Sequence, residues 1–250
     1  MNTEIELYFH PTCATSHEII MSLYEKGYLD NIKLHNTLAP LENNFIWSVP
    51  WLIVNKEPVG TDPITSEEII EIIENKKIDI NDPKESFMMS ILHSSYASSI
   101  SILHKDLQPV INNSFIKASI RYGFSNIELN EFKSQIIKIK ENLFEEYRDK
   151  IRRALAVSFV RELYWSKSGK IDYNEIVNYS NEIIVGLWLL SKASIGRVGL
   201  ISKPYIYGDI DIKEISEFVS KRGKGLLEKI KEEQDAIYND KKYWEIIKNY

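Results

Sequence analysis

Ten apolar residues recur every three or four positions through the middle of the chain: Leu129, Phe132, Ile136, Ile139, Leu143, Tyr147, Ile151, Leu155, Phe159 and Leu163. That is the period of one face of a helix, and a strand would scatter the same residues over both of its sides. Residues 129–163 therefore predict one long helix, or two stacked ones, lying along a core. Helix starts are also marked on either side. Asp82–Pro83–Lys84–Glu85 has an N-cap acid, a proline at the first helical position and a glutamate at the third. Asp172 with Glu175 forms a capping box, with Ile171 and Ile176 as its hydrophobic staple. Asp211 with Glu214, flanked by Ile210 and Ile215, repeats the pattern. From residue 81 to residue 250 the chain reads as helix and loop.

The first eighty residues follow another rule. Ile5, Leu7 and Phe9 alternate as in a strand, and Ile19, Ile20, Leu23 and Tyr24 then fall at helical spacing up to Gly27. "NIKLHNTL" is a second strand. "PWLIVNKEPVG" reads as two strands joined by a tight turn at Asn55–Lys56. "TSEEIIEIIENKK" is a helix that opens with a Thr65–Glu68 capping box. The order is β-α-β-β-β-α, and a further short helix between the second and third strands would have to fit within "APLENNFIWS". The change of character places a boundary near residue 80, giving an α/β domain over 1–80 and an all-helical domain over 81–250.

Charge and cysteine use narrow the functions. The net charge of −5 conceals an acidic first part: residues 1–80 sum to −8, with five lysines and no arginine, and the remainder to +3. Phosphate contacts need Lys and Arg, so nucleic acid is not the expected partner. The stretch Ile183–Leu190 is too short to span a bilayer and reads as a buried helix. The start of the sequence has no basic segment followed by an apolar run, so the expected location is the cytoplasm, with no membrane partner. A single cysteine excludes an internal disulfide, which agrees with a reducing compartment.

That cysteine, Cys13, stands where the first strand turns into the first helix. There it faces unpaired backbone amides and the positive end of the helix dipole, both of which favour thiolate over thiol. The ligand side of an open α/β sheet is also the carboxyl end of its strands. The bland alternative is a buried, inert cysteine.

Cys13–Ala14–Thr15–Ser16 at this junction, with Ser48–Val49–Pro50–Trp51 at the start of the third strand, resembles the thioredoxin superfamily, nearest its glutaredoxin and glutathione-transferase branches. The resemblance implies a thioredoxin-like N-terminal domain followed by a glutathione-transferase-like helical domain. It implies that Pro50 is cis and that Val49 offers its backbone to an extended thiol ligand. Without it, Val49–Pro50 reads as an ordinary trans turn. Thr65 and Ser66 align with the family's pair that holds a ligand carboxylate at a helix start; read by themselves they are a helix cap. "PYIYGDIDIKEI" is similar to the family's capped core helix, and family members commonly form homodimers.

Ser16 stands where a resolving cysteine would be. The motif therefore permits only monothiol chemistry, through a mixed disulfide that an outside thiol clears. By that resemblance Cys13 is the nucleophile on a disulfide or an electrophilic small molecule, and Ser16 donates a hydrogen bond to the thiolate. His10 lowers the thiol pKa if protonated and does little if neutral. His17 is either a second helper or a surface histidine. No tightly bound cofactor is implied; glutathione or another low-molecular-weight thiol is the co-substrate, and small disulfides or protein disulfides are the partners. A metal site is not expected, since no fourth ligand lies at zinc spacing from His10, Cys13 and His17. The scarcity of cations in residues 1–80 counts against glutathione, unless Arg121, Arg148, Arg152 or Arg153 supplies one. Trp47, Trp51 and Tyr96 are candidate linings for an apolar pocket, though aromatics at such spacing are usually core. The competing reading is a non-catalytic scaffold of the same fold that binds other proteins.

Overall fold

A computed structural model describes residues 3–39, 46–194, 208–248 and 250. The expected short helix in "APLENNFIWS" falls largely on residues outside this set, as does the start of "PYIYGDIDIKEI".

Strand β1 (Ile5–Phe9) leads into helix α1 (Ala14–Glu25), and Gly27, with φ +77°, lets the chain leave that helix. Strand β2 (Lys33–Asn36) follows, then β3 (Trp51–Val54), β4 (Glu57–Thr61) and α2 (Ser66–Ile73). Asn55 and Lys56, with φ of +50° and +70°, form the two-residue turn between β3 and β4, a geometry whose twist matches its strands. The sheet order is β2-β1-β3-β4, with β2 parallel to β1 and the other pairings antiparallel. The carboxyl end of β1, the start of β3 and the end of β4 thus share one edge of the sheet, because Tyr8 pairs with Trp51 and Trp51 with Thr61. At Gly60 a Cβ would displace the buried Ile64 side chain and press on Leu52, so the absence of a side chain there favours the packing of β3 and β4.

The rest is helical: α3 (Pro83–His93), α4 (Ser95–His104), α5 (Asn113–Ser119), α6 (Leu129–Ser166), α7 (Tyr173–Tyr179), α8 (Glu182–Ser194), α9 (Ile210–Asn239) and α10 (Lys241–Ile247). The apolar stripe is a single helix, α6, and its Ile136, Ile151, Leu155 and Phe159 are buried. The coarse expectation of an α/β part and a large helical part is met. No described helix is long and apolar enough to cross a membrane.

Compactness groups the chain into two units: Met1–Ser94, Ile111–Lys138 and Gln234–Tyr250 in the first, Ser95–Val110 and Ile139–Glu233 in the second. The sheet unit thus takes in helical segments beyond residue 80. In its core Leu7, Phe9, Ile19, Ile20, Leu23, Leu52, Val54, Ile69 and Ile72 meet Ile237, Tyr243 and Ile247. Each wholly buried Leu or Ile there contributes roughly 1.5–3 kcal/mol, so the later segments help to hold the sheet.

Three of the four expected helix starts form as read. Thr65 and Glu68 complete their box, Asp82 accepts from the amides of Lys84 and Glu85, and Asp172 and Glu175 reciprocate. The fourth does not. Asp209 accepts from the Asp211 amide, while Asp211 turns inward, 1% exposed, and Ile210 is left 47% exposed. Within the second unit Asp211 takes the guanidinium of Arg148 in a fork at 2.7 and 2.9 Å, and that of Arg152 at 2.7 Å. A carboxylate so far inside needs such partners, and it chooses them over the cap.

Candidate functional site

Cys13 is the N-cap of α1, in extended backbone conformation (φ −81°, ψ 122°), and its carbonyl accepts the first helical hydrogen bond from the His17 amide. Its own amide donates to the His10 carbonyl at 3.0 Å, which closes the turn His10–Cys13. An N-cap side chain usually accepts from amides of the first turn. The sulfur makes no such cap bond. Sγ instead donates to the Val49 carbonyl at 3.6 Å, across the gap between the end of β1 and the start of β3. The Val49–Pro50 peptide is cis, and Cys13 is half-buried.

The loop that carries the sulfur is held by residues far along the chain. The Gln234 side-chain amide donates to the Thr12 carbonyl at 2.9 Å, and the Tyr243 hydroxyl donates to the Pro11 carbonyl at 3.0 Å. Both side chains are fully buried. Burial holds the Tyr243 hydroxyl above its ordinary pKa, and the charges of Cys13 and Asp240 push the same way, so it stays protonated as a donor. His17 Nε2 lies 2.9 Å from Asp240 Oδ2, with its ring edge-on to Tyr243. The Tyr243 amide, opposed by partial desolvation and helped by His17, holds the Asp240 carboxyl below its usual range. Asp240 is legible as the cap of α10. No sequence pattern pointed to Gln234 or Tyr243.

His10 is half-buried. Its Nδ1 accepts from the Thr12 amide at 3.3 Å and lies 3.1 Å from the Thr12 hydroxyl. Burial lowers its pKa, so it is the neutral form that sits beside the cysteine, the form from which little help was expected. Ser16, one turn into α1, is wholly buried, and its hydroxyl has no hydrogen-bond partner among the described residues.

Thr65 and Ser66, at the start of α2, meet α1 well away from Cys13. Ser66 accepts from the Ser22 hydroxyl at 2.8 Å and donates to Glu67 at 3.0 Å, more than two turns along the helix from Cys13. The Thr65 hydroxyl accepts from the Glu68 amide at 3.1 Å. Lys26, the Glu67 amide and the Ser66 hydroxyl bring the Glu67 carboxyl down to about 2. The start of α2 therefore already holds a carboxylate of its own.

A residue that sequence reasoning passed over does reach α1. Asp62, directly after β4 and 7% exposed, accepts from the Thr15 hydroxyl at 3.3 Å, and its other oxygen lies 3.1 Å from Nδ1 of His93 at the end of α3. Beside it the Ser48 and Thr61 hydroxyls meet at 2.5 Å. The candidate cations have other duties. Arg121, 3% exposed, is fixed by Glu68 and by the carbonyls of Pro63, Ala118 and Ser119. Arg148 and Arg152 serve Asp211, and Arg153 lines, with Lys221, Glu214 and Glu217, a cavity of about 170 Å³ in the second unit. Trp47 and Trp51 are core residues, whereas Tyr96 in the second unit is half-buried. Among the described residues no three His, Cys, Asp or Glu side chains converge as metal ligands do.

The chemistry this arrangement offers is that of a partly exposed thiol at a helix start, facing a backbone carbonyl at the edge of a sheet. Compared with protein-family models, with curated proteins and with solved structures, the chain matches none.

Proposed function

We propose that the chain is a thiol-dependent oxidoreductase or transferase of the glutaredoxin and glutathione-transferase kind, with Cys13 as a monothiol nucleophile. One observation carries the reading: Sγ, at the first turn of α1, lies 3.6 Å from the Val49 carbonyl, where the end of β1 meets the start of β3. A ligand laid along Val49 as a short added strand would bring its sulfur to Cys13. The order β-α-β-β-β-α and the cis Val49–Pro50 bond support the resemblance behind this reading.

The reaction is exchange. The Cys13 thiolate attacks one sulfur of a disulfide, the new bond joins Cys13 to that half, and the other half leaves as thiolate and takes a proton from water. A second, free thiol then releases the bound half as a new disulfide. Ser16 cannot take part in a ring-closing step. In this reading the nucleophile draws its ionisation from the helix start and not from His10. Ser16, expected as a hydrogen-bond donor to the thiolate, is buried with its hydroxyl unpartnered among the described residues, and the reading does not depend on it.

Mass spectrometry after incubation with hydroxyethyl disulfide and with glutathione disulfide tests the proposal. A mixed disulfide at Cys13, cleared by free thiol and absent in Cys13→Ser, is expected. So is an alkylation midpoint below the free-cysteine value of about 8.5. A thiol that reacts only after unfolding would sink the reading and leave the scaffold alternative.

A further inference from the structure

We propose that Asp62 sets the charge preference of Cys13, so that the thiol compound it exchanges with is a cationic aminothiol disulfide and not a polyanionic one. This rests on the reading of Cys13 as a nucleophile and names the substrate class it takes.

Asp62 is a nearly buried carboxylate, and the Thr15 hydroxyl ties it to the first turn of α1 two residues beyond Cys13. A charge so placed acts partly through protein, and its field along the first turn of α1 is screened less than that of a surface carboxylate. Asp240, on the His17 side of the same helix, is met by His17 at 2.9 Å, and the preference assigned to Asp62 does not depend on it.

Every lysine of the acidic first eighty residues is accounted for. Lys33 opens β2, and Lys56 lies in the β3–β4 turn, both at the sheet end opposite Cys13. Lys26, past the far end of α1, is on Glu67; Lys76 is on Glu74, and Lys77 donates to the Gly123 carbonyl. Arg121 reaches the Pro63 carbonyl, but its charge is met by Glu68. The group facing Asp62 on its other oxygen is His93, from α3. A ligand bearing carboxylates meets repulsion at this edge, and one bearing an ammonium group meets attraction.

In the exchange itself the cationic disulfide is the oxidant: its S–S bond breaks, one half joins Cys13, and the aminothiolate released takes a proton from water.

Paired methanethiosulfonate reagents, one carrying a trimethylammonium group and one a sulfonate, report the potential at a thiol because only their charge differs. At pH 8 and low salt the wild-type chain is expected to favour the cationic reagent by about tenfold more than a free small thiol does, the size of one to two kcal/mol of local field. Asp62→Asn removes most of that excess, Asp62→Glu keeps it, and cystamine outpaces glutathione disulfide at Cys13. Raising salt to 0.5 M is expected to leave most of the wild-type excess, because Asp62 is buried, whereas an excess that collapses in salt belongs to exposed acids and overturns the assignment. A wild-type ratio equal to that of the free thiol, or an excess that Asp62→Asn leaves intact, overturns the assignment. A chain that shows the excess but yields no mixed disulfide with cystamine overturns the exchange reading and the substrate class with it, while the electrostatic role of Asp62 stands.

Discussion

Two aspartates are almost wholly inside this protein, and they are treated differently. Asp211, in the second unit, is 1% exposed and met by the guanidinium groups of Arg148 and Arg152, with the Lys105 ammonium at 3.8 Å. Asp62, in the sheet unit, is 7% exposed and has a threonine hydroxyl and a half-exposed histidine ring. The first is over-neutralised and reads as architecture. The second is tied through Thr15 to the helix that starts at Cys13. Burial therefore says little about role; the charge of the company a buried acid keeps says much more.

Removing the buried member of this ion cluster takes from Arg148 and Arg152 the carboxylate they share, leaving them only the exposed Glu145 and Asp149. Asp211→Ala is expected to lower unfolding free energy by about 3 kcal/mol, measured in urea, the low end for breaking a buried ion pair because each guanidinium keeps one exposed acid. A loss below 1 kcal/mol would erase the contrast. Asp211 also predicts a pH dependence. Burial raises its pKa, but Arg148 and Arg152 outweigh that and bring it below the ordinary value. A carboxyl depressed in the folded state adds stability above its unfolded pKa of about 4, and that stability is lost as pH falls through the folded value. The urea midpoint of the wild type should drop between pH 5 and 2 more steeply than that of Asp211→Asn.

Thr65→Ala, at a solvent-facing cap, is expected to cost about 1 kcal/mol by the same assay and to leave the alkylation rate of Cys13 unchanged. A clear change in that rate would return Thr65 to the ligand site. Asp62→Asn is expected to move stability least, by under ~1 kcal/mol, since its partners are a hydroxyl and a ring that water reaches. Its effect belongs in the charge selectivity of the thiol. A large loss of stability with no change in selectivity would make the two aspartates alike.

Much of this was legible in the sequence. Capping boxes at Thr65 and Asp172 and the stripe of α6 depend on residues three or four positions apart, and such local patterns survive in the fold. Cys13 and Val49, 36 positions apart, were paired only through a family resemblance, and the sheet register supplies the distance between them. The misread start of α9 shows why local rules fail. Asp209 and Asp211 are both suited to a cap, and the choice between them was made by two arginines some sixty residues away. Asp62 gave no sign either: a "TDP" triplet reads as a turn, and its contacts come from α1 and α3. Thr65 and Ser66 were read two ways, and their hydroxyls are engaged in capping and in the Ser22 contact.

The bonds from Gln234 and Tyr243 to the loop before Cys13 span 222 and 232 positions of sequence. Contacts of such separation carry the largest closure entropy and gather after local helices and the β3–β4 hairpin have formed. The cysteine's seat is therefore a late product of assembly. The loop that carries it is complete only when residues more than two hundred positions later in the chain arrive to bond its carbonyls.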